Sequence, residues 1–256
     1  MQKAFSTIRM AAREENYFGL GYTLGQYLLK ALRMAGLLLI WHMLYEGGAA
    51  MEGMTLPQAL KYTLLSAALL PMLDVRTKAS SFLHDGAVVQ LYLRPMGVFS
   101  QLMCQSIGSW RGHLLLLALP ILLVSPLFGL SLWPASPWAL LSLLLCISLG
   151  FCVDLFFACL IIRLRNMSYQ VEALRGALSA LLSGAVIPFA ALPFGIGRYL
   201  ALTPLGSLAG APLSIWVGLS SPMELLPAQI LWNLVLWPLG VWCFRLSRER
   251  MVSYGG

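Results

Sequence analysis

An acidic residue inside an apolar segment is the first candidate for chemistry in this sequence. Asp154 lies in the stretch LGFCVDLFFACL, in a long run that carries no other charge. A carboxylate in the lipid interior is costly, and by default it indicates a proton relay, a substrate path or a bond to another helix. Asp154 lies only about 12 Å from the basic inner end of its segment, so a structural or hydrated role stays open.

The other groups that could take part in catalysis form no recognisable set. A proton relay needs a second acid or a histidine inside the membrane, and nothing in the sequence brings His42 to Asp154. HExxH, a Ser-His-Asp order and paired intramembrane carboxylates are all missing from the sequence. The five cysteines form no CxxC pair, which favours apolar packing over metal binding or disulfides. We predict that the chain is not an enzyme and holds no metal.

ATP hydrolysis by a phosphate-binding loop is excluded for this chain by the absence of one motif. A phosphate-binding loop needs GxxxxGK[ST], and the sequence contains no Gly-Lys pair. The net charge of +7 raises the question of nucleic acid, but the cations are spread over loops between apolar segments. We therefore predict no cofactor on the chain, no nucleic-acid partner and a lipid bilayer as its surroundings.

The elements that must position these residues are strongly apolar. The chain is 59% hydrophobic and 11% charged, whereas soluble domains carry about 25% charged residues. Open sheets cannot cross lipid, and the strict alternation of a β-barrel is missing. We predict an all-α polytopic membrane protein with six transmembrane helices of about 20 residues each. Their expected bounds are about 25–45, 56–75, 113–132, 138–162, 174–192 and 225–244.

The segments between the spans complete a single transmembrane domain over residues 1–256. Residues 1–17 mix apolar and basic side chains, which is typical of an amphipathic helix on the membrane surface. Residues 76–111 form the longest cytoplasmic loop. Residues 193–224 are apolar but rich in Gly and Pro, which predicts short re-entrant outer helices that break near Pro204 and Pro212.

The basic residues set the expected orientation. With both termini in the cytoplasm, all of the 17 lysines and arginines except Lys61 and Arg198 lie on the inner side. Inner loops carry an excess of Lys and Arg in membrane proteins. We therefore predict the arrangement in which both the N-terminus and the C-terminus are inside.

Two stretches suggest moving parts. In the inner loop, Asp85 can cap a short helix over GAVVQLYL, which Pro95 stops; it is either a plain interfacial element or a lever for a cytoplasmic partner. In the fifth span, Ser183 and Gly184 permit close helix approach. Pro188 bends the same helix and frees a backbone carbonyl, which is consistent with a passive kink or with a gate.

The order of these elements resembles the membrane permease subunit of type-2 ABC exporters. Several motifs agree with it: WHMLYEGGAAMEGMTLPQALKYTLL over residues 41–65, HDGAVVQLYLRPMG over 84–97, LLSGAVIPFAALP over 181–193 and LTPLG over 202–206. The resemblance covers about residues 25–246. The chain departs from the family after the fourth span, where IIRLRNMSY replaces an aromatic pair.

The resemblance implies a set of partners and roles. Two permeases, identical or sibling, would pair around a pathway, and a separate ABC ATPase with ATP and Mg²⁺ would bind beneath each one. The coupling helix would comprise Asp85, Gly86, Val88, Leu91, Arg94 and Pro95. The pathway or gate would involve Asp154, Ser183, Gly184 and Pro188.

The expected function is export of an amphipathic or hydrophobic substrate from a bacterium across its inner membrane. A drug, a peptide, a natural product and a lipid-linked glycan all fit that class. The alternative is a gradient-driven secondary transporter or channel that uses Asp154, and a third hypothesis is a membrane enzyme or scaffold.

Overall fold

Helices make up all of the regular secondary structure that the computed structural model describes, in residues 2–14, 19–48, 53–84, 88–164 and 167–253. This confirms the predicted all-α class. In chain order the helices are α1 (Gln2–Glu14), α2 (Leu20–Glu46), α3 (Leu56–Leu73), α4 (Ala79–His84), α5 (Val88–Tyr92), α6 (Val98–His113), α7 (Leu119–Val124), α8 (Trp138–Arg163), α9 (Ser168–Leu182), α10 (Ile196–Ala201), α11 (Gly210–Val217) and α12 (Pro222–Ser253).

Four helical segments of the described chain are long and apolar enough to cross a bilayer. They are Gly21–Glu46, Val98–Phe128, Trp138–Arg163 and Pro222–Ser247. A multi-pass membrane protein is therefore supported, while the six-span count and the orientation stay predictions. Helices α3 and α9 lie where the second and fifth spans were predicted. Helix α9, at 15 residues, is shorter than a full crossing takes, whereas α3, at 18 residues, is long enough but is not among the four apolar spans.

Helix α8 lies at the centre of the fold, and α12 packs along it. Three polar side chains of α12, one turn apart, contact α8 in turn. Gln229 Oε1 accepts a hydrogen bond from Ser142 Oγ at 2.7 Å, Asn233 Nδ2 donates to a carbonyl of α8, and Trp237 Nε1 donates to Ser148 Oγ at 2.9 Å. Such interhelical hydrogen bonds hold helices together where lipid provides no hydrophobic driving force.

The third predicted span differs from expectation at its inner end. Helix α6 begins at Val98, inside the segment predicted as loop. The sequence did not indicate this part of the helix because its first turns carry polar residues such as Gln101 and Gln105. A wide turn of π-helix, Leu114–Ala118, joins α6 to α7. Pro120 follows it, and the wide turn removes the clash that a proline ring makes with the carbonyl four residues earlier.

Helix α1 packs on α6 at a glycine. A Cβ added at Gly108 would lie 2.5 Å from the Ile8 carbonyl oxygen and 2.7 Å from Ala11 Cβ. Ala11 is accordingly buried. An ion pair between Lys78 Nζ and Glu14 Oε2, at 3.1 Å, holds the end of α1 next to the inner loop. The missing side chain of Gly108 therefore permits the close packing of α1 on α6.

The first prediction concerns this contact. Gly108→Leu is expected to displace α1 and to lower the free energy of unfolding by about 1–3 kcal/mol, as overpacking does in other proteins. Faster protease cleavage within residues 2–14 would report the displacement. Gly36→Leu in α2 is the matched control, since an added Cβ there meets nothing within 4 Å. Unchanged cleavage of Gly108→Leu would contradict the prediction.

Candidate functional site

Asp154 is not a lone charge, because Arg175 pairs with it. Asp154 lies on α8 and is 5% exposed, while Arg175 lies on α9 and is 4% exposed. The Arg175 Nη1 group donates to Asp154 Oδ1, and the guanidinium lies 5.6 Å from the ring centroid of Phe157. A charge pair buried this deeply is expensive to break, because either group left alone would be a buried unpaired charge.

Both members of this pair also hold the segment that leaves α3. The Thr77 hydroxyl donates to Asp154 Oδ2, and the second Arg175 amino group donates to the Val75 carbonyl. We call Val75, Thr77, Asp154 and Arg175 the inner clamp. It joins α8, α9 and the connection between α3 and α4 through three hydrogen bonds. The Nε atom of Arg175 is buried and has no hydrogen-bond partner among the described residues.

Further polar contacts surround the inner clamp. Arg76 reaches Asp74 at 2.9 Å and Glu172 of α9 at 3.5 Å. Ser106 of α6 donates to the Arg76 carbonyl at 3.0 Å. The segment between α3 and α4 is therefore fastened to α6, α8 and α9 within a few residues of the inner loop.

Little water has room beside Asp154. A cavity of about 10 Å³ is lined by Asp154, Thr77, Phe82 and Leu91, among others. That volume is about the minimum for one water molecule. Since Asp154 is paired, bonded and nearly dry, the geometry favours its structural role over a hydrated ion path.

The inner loop is held firmly against the spans. Leu91 of α5 is buried in a cluster that includes Val98 and Ile161. The Gln101 side-chain amide of α6 donates to the Leu91 carbonyl at 2.7 Å and to the Met96 carbonyl. The first bond satisfies a carbonyl at the end of α5 that the helix itself leaves open, and the second fixes the segment between α5 and α6.

Two residues that directly follow α5 in this loop are exposed. Leu93 is 82% exposed, and Arg94 is also exposed. Pro95 follows the end of α5, as predicted, and Val88 begins that helix. Asp85 and Gly86 lie outside the described residues, so the structure does not test the predicted cap.

Helix α9 ends at its glycine rather than bending at its proline. Its last residue is Leu182, and Gly184 has φ +77°. A helix that continued to Pro188 would place the proline ring against the carbonyl of residue 184. Glycine adopts positive φ at little cost, so the helix ends there.

Two backbone carbonyls that lose their helical partners at this break accept hydrogen bonds from side chains of α3. The Tyr62 hydroxyl donates to the Gly184 carbonyl at 2.6 Å, and Ser66 donates to the Ala185 carbonyl. Tyr62 and Ser66 lie one turn apart on the same face of α3. They supply the partners that buried carbonyls require.

The outer segment closes over the break. The Gly210 backbone N–H donates to the Ser183 carbonyl at 2.6 Å. Phe189 packs against Gly184 and Gly210, where any side chain would collide with its ring. Pro204 lies between α10 and α11, whereas Pro212 lies in the first turn of α11 and does not break it. The predicted break near Pro212 is therefore wrong, because proline fits the first turn of a helix.

The structure brings together residues that sequence reasoning left apart. Asp154 joins Arg175 and Thr77 at the inner side, while Ser183, Gly184 and Pro188 lie together at the outer end of α9. His42 is not near Asp154; it contacts Glu46 at 3.3 Å on its own helix. Among the described residues, no group of His, Cys, Asp or Glu could hold a metal ion.

Comparison with protein families assigns most of the chain. The family model described as ABC-2 family transporter protein matches residues 31–255. Neither the curated proteins nor the solved structures contain a significant match to the chain.

Proposed function

The chain belongs to the ABC-2 family of transporter proteins, and from this membership we propose that it is the membrane subunit of an ATP-driven exporter. The family implies a separate ABC ATPase as partner. The proposed cargo is amphipathic or hydrophobic: a drug, a peptide, a natural product or a lipid-linked glycan. We place the chain in the inner membrane of a bacterium, with both termini inside and a second permease as its neighbour.

The inner loop is the proposed contact with the ATPase. The observation that carries this proposal is the combination of a buried inner side at Leu91 with an exposed Leu93 and Arg94. A short helix that is fixed to the spans at Leu91 and is followed directly by exposed residues is suited to receive a force. Asp85, Gly86, Val88 and Pro95 complete the proposed coupling element, and ATP with Mg²⁺ belongs to the partner.

The broken end of α9 is the proposed gate. Ser183, Gly184 and Pro188 lie where the helix gives way to irregular backbone, and hydrogen bonds from α3 and α11 hold that backbone closed. Irregular backbone at membrane depth occurs where protein buries it or where it lines a cavity. Asp154 acts at the inner end of the same pathway as a fastening point.

A gradient-driven transporter that uses Asp154 is less well supported. Its carboxylate is paired with Arg175 rather than with a second acid or a histidine. Transport by the purified chain without nucleotide, abolished by Asp154→Asn, would favour this alternative over the exporter.

The second prediction tests the coupling element. The wild-type chain is expected to co-purify with the ABC ATPase encoded beside its gene, and Arg94→Gln is expected to weaken that complex about tenfold, or by about 1.4 kcal/mol. The reason is the loss of an exposed cation from the contact surface. Binding of the ATPase to the chain in lipid nanodiscs gives the affinity.

Arg198→Gln is the matched control for this measurement. Arg198 is an exposed cation of the outer segment, and its only described ion pair, to Glu224 at 3.7 Å, is exposed. Such pairs contribute little. Equal affinity of Arg94→Gln and the wild type would remove Arg94 from the contact. Failure to bind any ABC ATPase would contradict the exporter function.

A further inference from the structure

Helix α9 is held mainly by polar contacts. Along its whole length, only Val171 and Arg175 are buried, and exposed apolar residues such as Leu174 and Leu181 face away from the chain. A helix with so few buried apolar contacts is displaced at low cost. Its position relative to the other helices therefore depends on the hydrogen bonds of Arg175 at its middle and on those of the backbone just beyond its outer end.

These contacts tie α9 to α3 reciprocally. At the middle of α9, Arg175 donates to the Val75 carbonyl, just after α3 ends. At the outer end, Tyr62 and Ser66 of α3 donate to carbonyls just after α9 ends. The two sets of contacts are about 14 Å apart along the helix. Because α9 is helical between these contacts up to Leu182, a displacement of the backbone at Arg175 is passed along the helix to its outer end.

The contact of Arg175 with the α3–α4 connection leads directly to the inner loop. Thr77 donates to Asp154, and its hydroxyl also accepts a hydrogen bond from the Ala79 N–H at 3.2 Å, which begins α4. The Arg175 side chain contacts the α8 carboxylate and the α3–α4 backbone as well, from α9. Its buried, unpartnered Nε is a donor that a shifted arrangement can use.

We propose that Arg175 is a positioning residue that couples the inner loop to the broken end of α9, so that displacement of α4 changes the backbone at residues 183–188. The proposal rests on the exporter function above. It assigns a mechanical role to a residue that touches neither ATP nor cargo, and it makes Asp154 the fixed point against which Arg175 acts.

The test is hydrogen–deuterium exchange of the whole chain in lipid nanodiscs, without any ATPase. Arg175→Lys keeps a positive charge opposite Asp154 but replaces the two-armed guanidinium by a point donor, so it cannot also hold Val75. We expect exchange at residues 183–187 to become about tenfold faster, with α8 unchanged. This effect would appear about 14 Å from the substituted side chain.

Two serine and threonine variants make the result specific. Thr77→Val removes the hydroxyl between Asp154 and α4, and it is expected to act in the same direction as Arg175→Lys. Ser109→Ala is the control, because that hydroxyl donates only to Ser106 within α6. Unchanged exchange at residues 183–187 in folded Arg175→Lys would overturn the proposal. So would equal acceleration throughout α3, α8 and α9, which indicates a structural role alone.

A second arm uses the complex with the ATPase. In the wild type, Mg-ATP is expected to change exchange at residues 183–187. In Arg175→Lys, ATP hydrolysis is expected to stay within about twofold of the wild type while that change is lost, because binding energy shifts an equilibrium only through the contacts that differ between its states. Failure of the complex to form contradicts the exporter function, and the nanodisc measurement then decides the role of Arg175 by itself.

Discussion

Replacing Arg175 by methionine is expected to lower the free energy of unfolding by about 3–5 kcal/mol, because it leaves the Asp154 carboxylate buried and unpaired. Both side chains are almost fully buried, so solvent cannot compensate for the lost partner. The measurement is thermal or denaturant unfolding of the chain in a fixed detergent or lipid nanodisc. We expect Asp154→Leu to be comparably harmful, since it leaves the guanidinium unpaired.

The double variant Asp154→Leu/Arg175→Met separates charge from shape. Replacing a buried ion pair by apolar residues of similar volume is often neutral or stabilising. The double variant is therefore expected to recover most of the stability that either single variant loses. If the double variant were as unstable as the sum of the two single variants, the pair would not interact in the folded protein.

Gly184→Ala is expected to destabilise the outer end of α9 by about 3 kcal/mol. Positive φ costs a residue with a Cβ about 1–2 kcal/mol, and overpacking adds about 1–3 kcal/mol. The added Cβ would lie 2.9 Å from Phe189 Cζ and 3.0 Å from the Gly210 Cα. Unfolding measurements and loss of activity in the ATPase complex would both report the change.

Gly195→Ala is the control that isolates backbone strain from crowding. Gly195 also has positive φ, at +68°, but an added Cβ there meets nothing within 4 Å. Gly195→Ala is therefore expected to lower the free energy of unfolding by only about 1–2 kcal/mol, the cost of positive φ alone. Equal effects of the two substitutions would show that the packing of Phe189 on Gly184 contributes nothing.

The class of the fold was predictable because composition and apolar length decide it. Orientation rests on the positions of Lys and Arg, and it stays a prediction. The first turns of α6 were missed because Gln101 and Gln105 interrupt the apolar run there. Packing of Gln101 against the loop carbonyls explains why these turns are helical.

The partner of Asp154 was missed, although the sequence held a signal for it. Helices α8 and α9 are consecutive and joined by a short connection, so they form an antiparallel hairpin. Asp154 and Arg175 both lie about two turns from the bend, which places them at the same depth. Arg175 was treated only as a charge that sets the orientation of the chain, so its equal depth with Asp154 was not noticed.

The break in α9 could be predicted in kind but not in place. The sequence indicated a bend at Pro188, and the steric conflict of proline does cause the helix to end. The end is displaced to Gly184 because the carbonyl in conflict belongs to the residue four positions earlier. The hydrogen bond that the Tyr62 hydroxyl donates to that carbonyl, from 122 positions away, could not be read from local sequence.

The wide turn at Leu114–Ala118 has a consequence for how the chain tolerates change in length. A π-turn contains one residue more than the α-turn it replaces, and one residue corresponds to a rotation of about 100° about the helix axis. Deleting a single leucine there would convert the wide turn into an ordinary α-turn and leave the exposed apolar side chains of α7 facing as they do now, whereas a deletion elsewhere in the helix would rotate everything beyond it by that angle. The four-leucine run can therefore absorb a change of one residue in length, and natural variants of different length are expected to differ at this position first.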